Sequence, residues 1–337
     1  MELPYPCLMF LGDVDRVSAK TASGVAHWRP DACVGQLRLP GGEADLGLPD
    51  LTPAEAKAAG ARALLIGVAN AGGYIPPHWE AVLIEALEAG LDLVSGLHTR
   101  LASLPRVRET ADRLGRRLFE AREPDPAYVV VGTGERRPGK RVLTVGTDCA
   151  VGKMYAALAI AAELKARGAD ADFRATGQTG IFIAGSGAPI DAIVSDFVAG
   201  AAEVLSPAAA PDHWDVIEGQ GSLFHPAYAG VTLGLLHGSQ PDFLVLCHDA
   251  TRVAIDGLEA FPTPSLAEAI DLNLRLASLT NPAARMAGIC VNTSRLTSEA
   301  AAAYLRDTEQ ALGLPCCDPV RTGVAAIVNG LLTAKAA

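Results

Sequence analysis

Short apolar runs alternate with longer Ala- and Leu-rich segments along the 337 residues, and the alternation restarts after a Pro-, Gly- and charge-rich stretch at 121–140. In the restarted part an apolar run leads directly into GTDCAVGK, a glycine-framed loop ending in lysine. These observations predict an α/β protein of two domains. A Rossmann-like N-terminal domain is expected over 1–135, and a P-loop NTPase-like domain with a parallel sheet over 136–337.

In the first part, PCLMFLG, ARALLIGVA and LDLVSGL read as buried strands, because each is a short, nearly continuous apolar run. TPAEAKAAG, HWEAVLIEALEAG and RLASLPRVRETADRLGRRLFEA read as helices. The first of these carries its own start signal: Thr52 as N-cap, Pro53 at the first helical position and Glu55 three residues after the cap. Gly60 and Gly90 end two of the helices. In the second part the strands are RVLTVG, ADFRATG, DVIEGQG, DFLVLCHD and MAGICVNTS. The helices are 152–167, PIDAIVSDFVAGAAEVL and SLAEAIDLNLRLASL.

Composition excludes several classes. With half the residues apolar and a fifth charged, the chain has enough apolar surface to fold. A net charge of −10 without a basic tract argues against nucleic acid as partner. Every long apolar stretch is interrupted by charge or a turn signal, so no membrane span is expected, and the N-terminus lacks the basic start of a secretory signal. Seven cysteines, none in C-x-x-C spacing, suit a reducing cytoplasm and no structural zinc.

The glycine-framed loop points to anion binding. Gly146, Gly152 and Lys153 stand much as in the P-loop pattern G-x-x-x-x-G-K-[S/T], with five residues, Thr147, Asp148, Cys149, Ala150 and Val151, between the glycines where the pattern has four, and Met154 in place of its Ser or Thr. A helix N-terminus presents free N–H groups and about half a positive charge to an anion, and Lys153 adds its own charge. Met154 lacks the hydroxyl that holds Mg²⁺ in P-loop hydrolases. Two readings stay open: Thr147 or Asp148 replaces that ligand, or the loop holds a phosphate that never reacts, such as the diphosphate of coenzyme A. Cys149, just ahead of the helix, is a candidate for a lowered thiol pKa and so for a nucleophile.

Other chemistry-bearing residues stand where strands end. Glu218 closes an apolar run at the expected carboxyl edge of a parallel sheet, with Gln220, Gly221 and His225 following in one loop. A buried carboxylate there suits a general base, with His225 as a relay. Arg174 and Arg252 are candidates to grip a substrate carboxylate, and the segments around Gln178–Thr179 and Gly221 can offer N–H groups to an oxyanion. No G-x-G-x-x-G fingerprint follows a strand in the first domain, so a nicotinamide dinucleotide is not expected.

Taken together, VGTDCAVGKM, ATGQTG, IDAIVSDFVAGAAE, IEGQGSLFHPAYAGVTLGLLHGSQPD and VSGLHTRL resemble the domain-of-unknown-function family that includes the DgcN-type D-glutamate N-acetyltransferases. The likeness runs along nearly the whole chain. It implies a Rossmann-like and a P-loop domain, acetyl-CoA as co-substrate and transfer of acetyl to the amine of D-glutamate or a close relative. The loop is also more distantly similar to that of dethiobiotin synthetase, where threonine stands at the position of Met154. An ATP-dependent ligase or kinase using Mg-ATP is therefore the alternative, and a non-catalytic nucleotide-binding P-loop protein is the second. The expected partners are an amino acid and acetyl-CoA; the Ala-rich composition is compatible with a homo-oligomer.

Overall fold

A computed structural model describes residues 3–70 and 72–334. The chain divides into two compact units, one of 1–124 with 178–189, the other of 125–177 with 190–337.

The first unit carries five parallel strands, β1 (Cys7–Gly12), β2 (Cys33–Arg38), β3 (Ala63–Ile66), β4 (Asp92–Ser95) and β5 (Leu118–Glu120), in the order β2-β1-β3-β4-β5. β1 and β3 are buried throughout, which is why their sequences are unbroken apolar runs rather than alternating ones; β4 is buried as well, with Asp92 at its start accepting from Arg117 N at 2.9 Å. The helices α1 (Lys20–Trp28), α2 (Pro53–Ala58), α3 (Glu80–Glu88) and α4 (Pro105–Leu114) connect them. The expected capping box at Thr52 and Glu55 is formed in both directions. The core is built from Leu8, Phe10, Leu64, Ile66, Leu83 and Leu93 around Trp79, whose indole meets Phe10 edge-on at 5.0 Å and donates to Asp13 at 2.8 Å.

Two expectations in this unit needed correction. The long helix expected over 100–121 stops at Leu114, where Gly115 takes a left-handed conformation, and Leu118–Glu120 then forms the edge strand β5. The segment around Gln178–Thr179, expected to follow the strand β7 (Ala171–Arg174) of the second unit as a source of N–H groups, is a helix, α6 (Gln178–Ala184), and it packs within the first unit. Gln178 lies so close over Gly96 that a Cβ there would come within 2.6 Å of the Gln178 Cβ. Its side-chain oxygen accepts from Arg122 at 2.9 Å, and Thr179 shares a 3.0 Å hydrogen bond with Thr21.

The second unit holds six parallel strands in the order β13-β12-β9-β6-β8-β7, namely β6 (Lys140–Gly146), β7, β8 (Trp214–Ile217), β9 (Phe243–Asp249), β12 (Arg285–Asn292) and β13 (Cys316–Cys317). The hairpin β10 (Ala254–Ile255) and β11 (Leu258–Pro262) stands apart from this sheet. Helices α5 (Lys153–Ala166), α7 (Val198–Leu205), α8 (Ala229–Ser239), α9 (Leu266–Ala277), α10 (Ser298–Leu312) and α11 (Ala325–Thr333) complete the unit. The helix expected over 189–205 is reduced to two short 3₁₀ turns followed by α7. After β6 the chain builds one flank of the sheet through β7 and β8, then crosses to the other flank with β9. The carboxyl ends of β6 and β9 therefore flank the topological switch point, the place where open α/β sheets form ligand crevices. All seven cysteines are free thiols. Among the described residues no helix is long and apolar enough to cross a membrane.

Candidate active site

Gly146 ends β6 and the chain turns through 147–152 into α5. Ala150 at φ 53° and Gly152 at φ 99° are both left-handed. Such changes of hand turn successive N–H groups to one side and form an anion-binding concavity. For Ala150 this backbone costs about 1–2 kcal/mol, the kind of strain that accumulates at functional sites. The first helical bond of α5 runs from Ala156 N to Gly152 O, so the N–H groups of Lys153, Met154 and Tyr155 precede it and have no helical acceptor. Lys153 is only 7% exposed and curls over the loop to donate to Asp148 O at 2.8 Å. Its burial pushes its pKa down, against the pull of Cys149, Cys247, Asp148 and Glu218.

The side chains of the loop hold it to the sheet. Thr147 Oγ1 meets His248 Nδ1 at 2.9 Å across the switch point. Asp148 accepts from Cys149 N at one oxygen (2.6 Å), and from Arg252 (2.7 Å) and Asp256 N (2.8 Å) at the other. Arg252 also donates to Cys149 O at 3.1 Å. Arg252, expected as a substrate grip, thus spends one nitrogen on the loop and keeps further donors in its guanidinium. Arg174 is engaged on the sheet: it donates to Asp215 at 2.6 Å and pairs with Asp172 at 3.4 Å.

Glu218 follows β8 and is 4% exposed. One of its oxygens accepts from the N–H groups of Thr176 (2.9 Å) and Gly177 (3.2 Å). Burial outweighs these bonds and the nearby Lys153, so its pKa is pushed up to about 7. The next residue has to be glycine: a Cβ at Gly219 would lie 1.7 Å from Thr144 O and 3.1 Å from Lys153 Cδ. That approach places the lysine stem and the glutamate side by side.

The loop after Glu218 folds back on the cradle. Ser222 donates to Gly146 O at 2.9 Å, and Thr232 donates to Gln220 O at 2.7 Å. Gly221 is left-handed at φ 66°. The amide of Gln220 lies over Gly177, where a Cβ would come within 2.5 Å of Nε2. His225 is buried beside Tyr228, and its Nδ1 accepts from Ala227 N at 3.1 Å. This fixes the proton of the neutral ring on Nε2, so His225 presents a donor.

Asp148, Cys149 and His225 place one ligand atom each within 4.8 Å of one another. The donor set does not suit a metal ion. One Asp148 oxygen accepts two hydrogen bonds, one of them from a guanidinium, the other oxygen accepts one, and the Nδ1 lone pair of His225 is spent on Ala227. The Cys149 thiol is pushed up by burial, not lowered as its place before a helix suggests. The effect of Lys153 opposes burial and is the smaller of the two.

Within the second unit the structure thus brings together the cradle from Gly146 to Met154 with Glu218, Gln220, Gly221, His225 and Arg252. Gln178 and Thr179 are held in the first unit by Arg122 and Thr21. Sequence reading passed over Ser222 and Thr176, which tie the loop and the glutamate in place; neither carries a motif signal.

Residues 129–328 match the family model described as the DUF1611 C-terminal P-loop domain, a domain of unknown function, and residues 37–124 match the DUF1611 N-terminal Rossmann-like domain. A D-glutamate N-acetyltransferase of Tritonibacter scottomollicae is 52% identical over 332 residues, 98% of this chain and 99% of that protein. A D-glutamate N-acetyltransferase of a Pseudoalteromonas species is 46% identical, over 98% of this chain and 100% of that protein. A crystal structure of a DUF1611 family protein from Anabaena variabilis superimposes with a TM-score of 0.86 at 33% identity, covering 97% of this chain and 100% of that one. With both domain models matched in order and relatives aligned along nearly its full length, the chain belongs to the DUF1611 family, a Rossmann-like domain followed by a P-loop domain.

Proposed function

We propose that this protein is an N-acetyltransferase that moves the acetyl group of acetyl-CoA to the amino group of D-glutamate. The observation that carries the reading is a cradle built for phosphate and not for a metal: a left-handed loop with buried Lys153, methionine at 154, and an Asp148 whose oxygens are already bonded. Two relatives that share about half of their residues with this chain bear the name D-glutamate N-acetyltransferase.

In this reading the loop from Gly146 to Met154 holds the CoA diphosphate, with Lys153 as its main charge. The amine attacks the thioester carbonyl carbon, forming the C–N bond. Glu218, poised near neutrality, takes the amine proton. N–H groups of the Gln220–Gly221 turn steady the oxyanion, each worth roughly 3 kcal/mol in other acyl-transfer sites. The C–S bond then breaks while His225 Nε2–H donates a hydrogen bond to the departing thiolate, and the proton taken up by Glu218 passes to that sulfur, which restores the carboxylate. Arg252 offers its remaining donors to a substrate carboxylate.

The test is mass spectrometry of products from D- and L-glutamate with acetyl-CoA, with and without Mg-ATP. The expected product is N-acetyl-D-glutamate, formed without nucleotide. Release of ADP coupled to product would replace acetyl transfer with the ligase reading.

A further inference from the structure

A cavity of about 340 Å³ opens beside the cradle, inside the second unit. Val151, Gly152 and Tyr155, from the loop and the first turn of α5, form one wall. Asn292 at the end of β12 and the turn 318–321 after β13 form the other. This is small for a whole cofactor, since ligand pockets run from about 300 to 1,000 Å³, but it suits a purine nucleoside. Nothing in the mechanism above uses it.

We propose that this cavity receives the adenosine end of CoA, and that Arg321 reads the phosphate on its ribose. The inference rests on the acetyl-CoA reading. Three observations support it. The cavity shares Val151 and Gly152 with the cradle, so a diphosphate on the loop leads its nucleoside directly into this space. Asn292 keeps capacity for a purine edge: its oxygen accepts from Ser294 N and its amide donates to Asp249, which leaves one lone pair and one N–H. An Asn amide pairs bidentately with the N6–N7 edge of adenine. The third observation is at the rim, where Val320 is 64% exposed and offers an apolar cover opposite Val151. Arg321 beside it donates to Leu296 O at 2.8 Å and Ser298 at 3.4 Å, which leaves three of its five donors for an anion. Asp318 fixes this turn by accepting from the N–H groups of Val320 and Arg321.

The experiment compares CoA with dephospho-CoA by calorimetry in the wild type, Arg321→Ala and Val320→Trp. The wild type is expected to bind CoA at least about tenfold more tightly than dephospho-CoA. Arg321→Ala should bind the two alike, and Val320→Trp, which fills the cavity, should weaken both about tenfold or more. A retained CoA preference in Arg321→Ala, or wild-type affinity in Val320→Trp, overturns the assignment even though the wild type still acetylates D-glutamate. If the wild type makes no product from acetyl-CoA, the acetyl-transfer reading falls, and the assignment with it.

Discussion

Replacing Glu218 by glutamine separates two consequences of one buried carboxyl group. From an ordinary 4.5 to about 7, the preference of the folded protein for the neutral form amounts to about 3 kcal/mol. The sign follows from linkage. A raised folded-state pKa contributes stability that is fully present below the unfolded value and is lost as pH rises through the folded one. Wild-type stability relative to a chain with a neutral group at 218 should therefore fall between pH 4.5 and 7 and level off above that. Glutamine keeps an oxygen for the N–H groups of Thr176 and Gly177, so Glu218→Gln should be more stable than the wild type by up to about 3 kcal/mol at pH 8 and equal to it near pH 4. Urea unfolding of both proteins across this range reads the difference. In the proposed mechanism the same group takes the amine proton: wild-type kcat/KM should then rise with pH to a plateau above about 7, and the glutamine variant should lose roughly 10²-fold or more in turnover. Parallel stability profiles, or an acid limb near the ordinary carboxylate pKa, would refute the argument that burial sets the proton affinity of this residue.

Other perturbations test the surrounding structure. Lys153→Ala should weaken acetyl-CoA by about 1.5–3 kcal/mol in calorimetry, the usual worth of a bond to a charged group; unchanged affinity removes the cradle from CoA binding. Asp148→Ala leaves the largely enclosed Arg252 with only the longer pair to Asp256 at 3.6 Å and should cost about 3 kcal/mol in unfolding experiments; an unshifted melting temperature would contradict the role given to this pair. Gly219→Ala drives a methyl group into Thr144 O and should destabilise by about 3 kcal/mol, visible in thermal melts. Chelation with EDTA should leave acetyl transfer unchanged, because position 154 offers no hydroxyl and Asp148 is engaged by Arg252 and two backbone N–H groups; activity lost to EDTA and restored by Mg²⁺ would speak for the ligase alternative.

What was legible in the sequence were features decided locally. The buried strands announce themselves as apolar runs, and the Thr52 capping box as three residues in the right places. The loop after Gly146 and Glu218 do stand at the carboxyl ends of strands, as the apolar runs before them indicate. What escaped was decided by distant partners. The helix after Gly177 has no helical signal of its own in the sequence, and only Arg122, Thr21 and the close approach of Gly96 show where it packs. Strand β2 carries Gln36, a polar residue inside an otherwise modest apolar run; its burial depends on Asp45, Asp50 and Leu46 N, which the pattern of the strand does not reveal. Asp148 looked free to bind metal until Arg252, over a hundred positions away, was seen to hold it. For Cys149 the local rule gave the wrong direction, because burial outweighed the nearby lysine.

The closeness of Lys153 and Glu218 constrains the mechanism further. The pantetheine arm of CoA is about four residue lengths long, so when extended it carries the thioester roughly 14 Å from the diphosphate. Lys153 and Glu218, by contrast, are neighbours across Gly219. If the loop holds the diphosphate and Glu218 takes the amine proton, the arm must double back so that its thioester returns to the mouth of the cradle. S-acetyl-pantetheine, which keeps the arm and lacks the diphosphate, separates the two roles. With this short donor Glu218→Gln should still depress kcat, because the proton still has to leave the amine. Lys153→Ala should no longer raise the donor's KM, because the anion it serves is gone. If Lys153→Ala instead harms the short donor as much as acetyl-CoA and raises the KM of D-glutamate, the anion in the cradle is the amino acid's own carboxylate. The loop would then hold the acceptor beside its base, and the donor would enter with its arm straight.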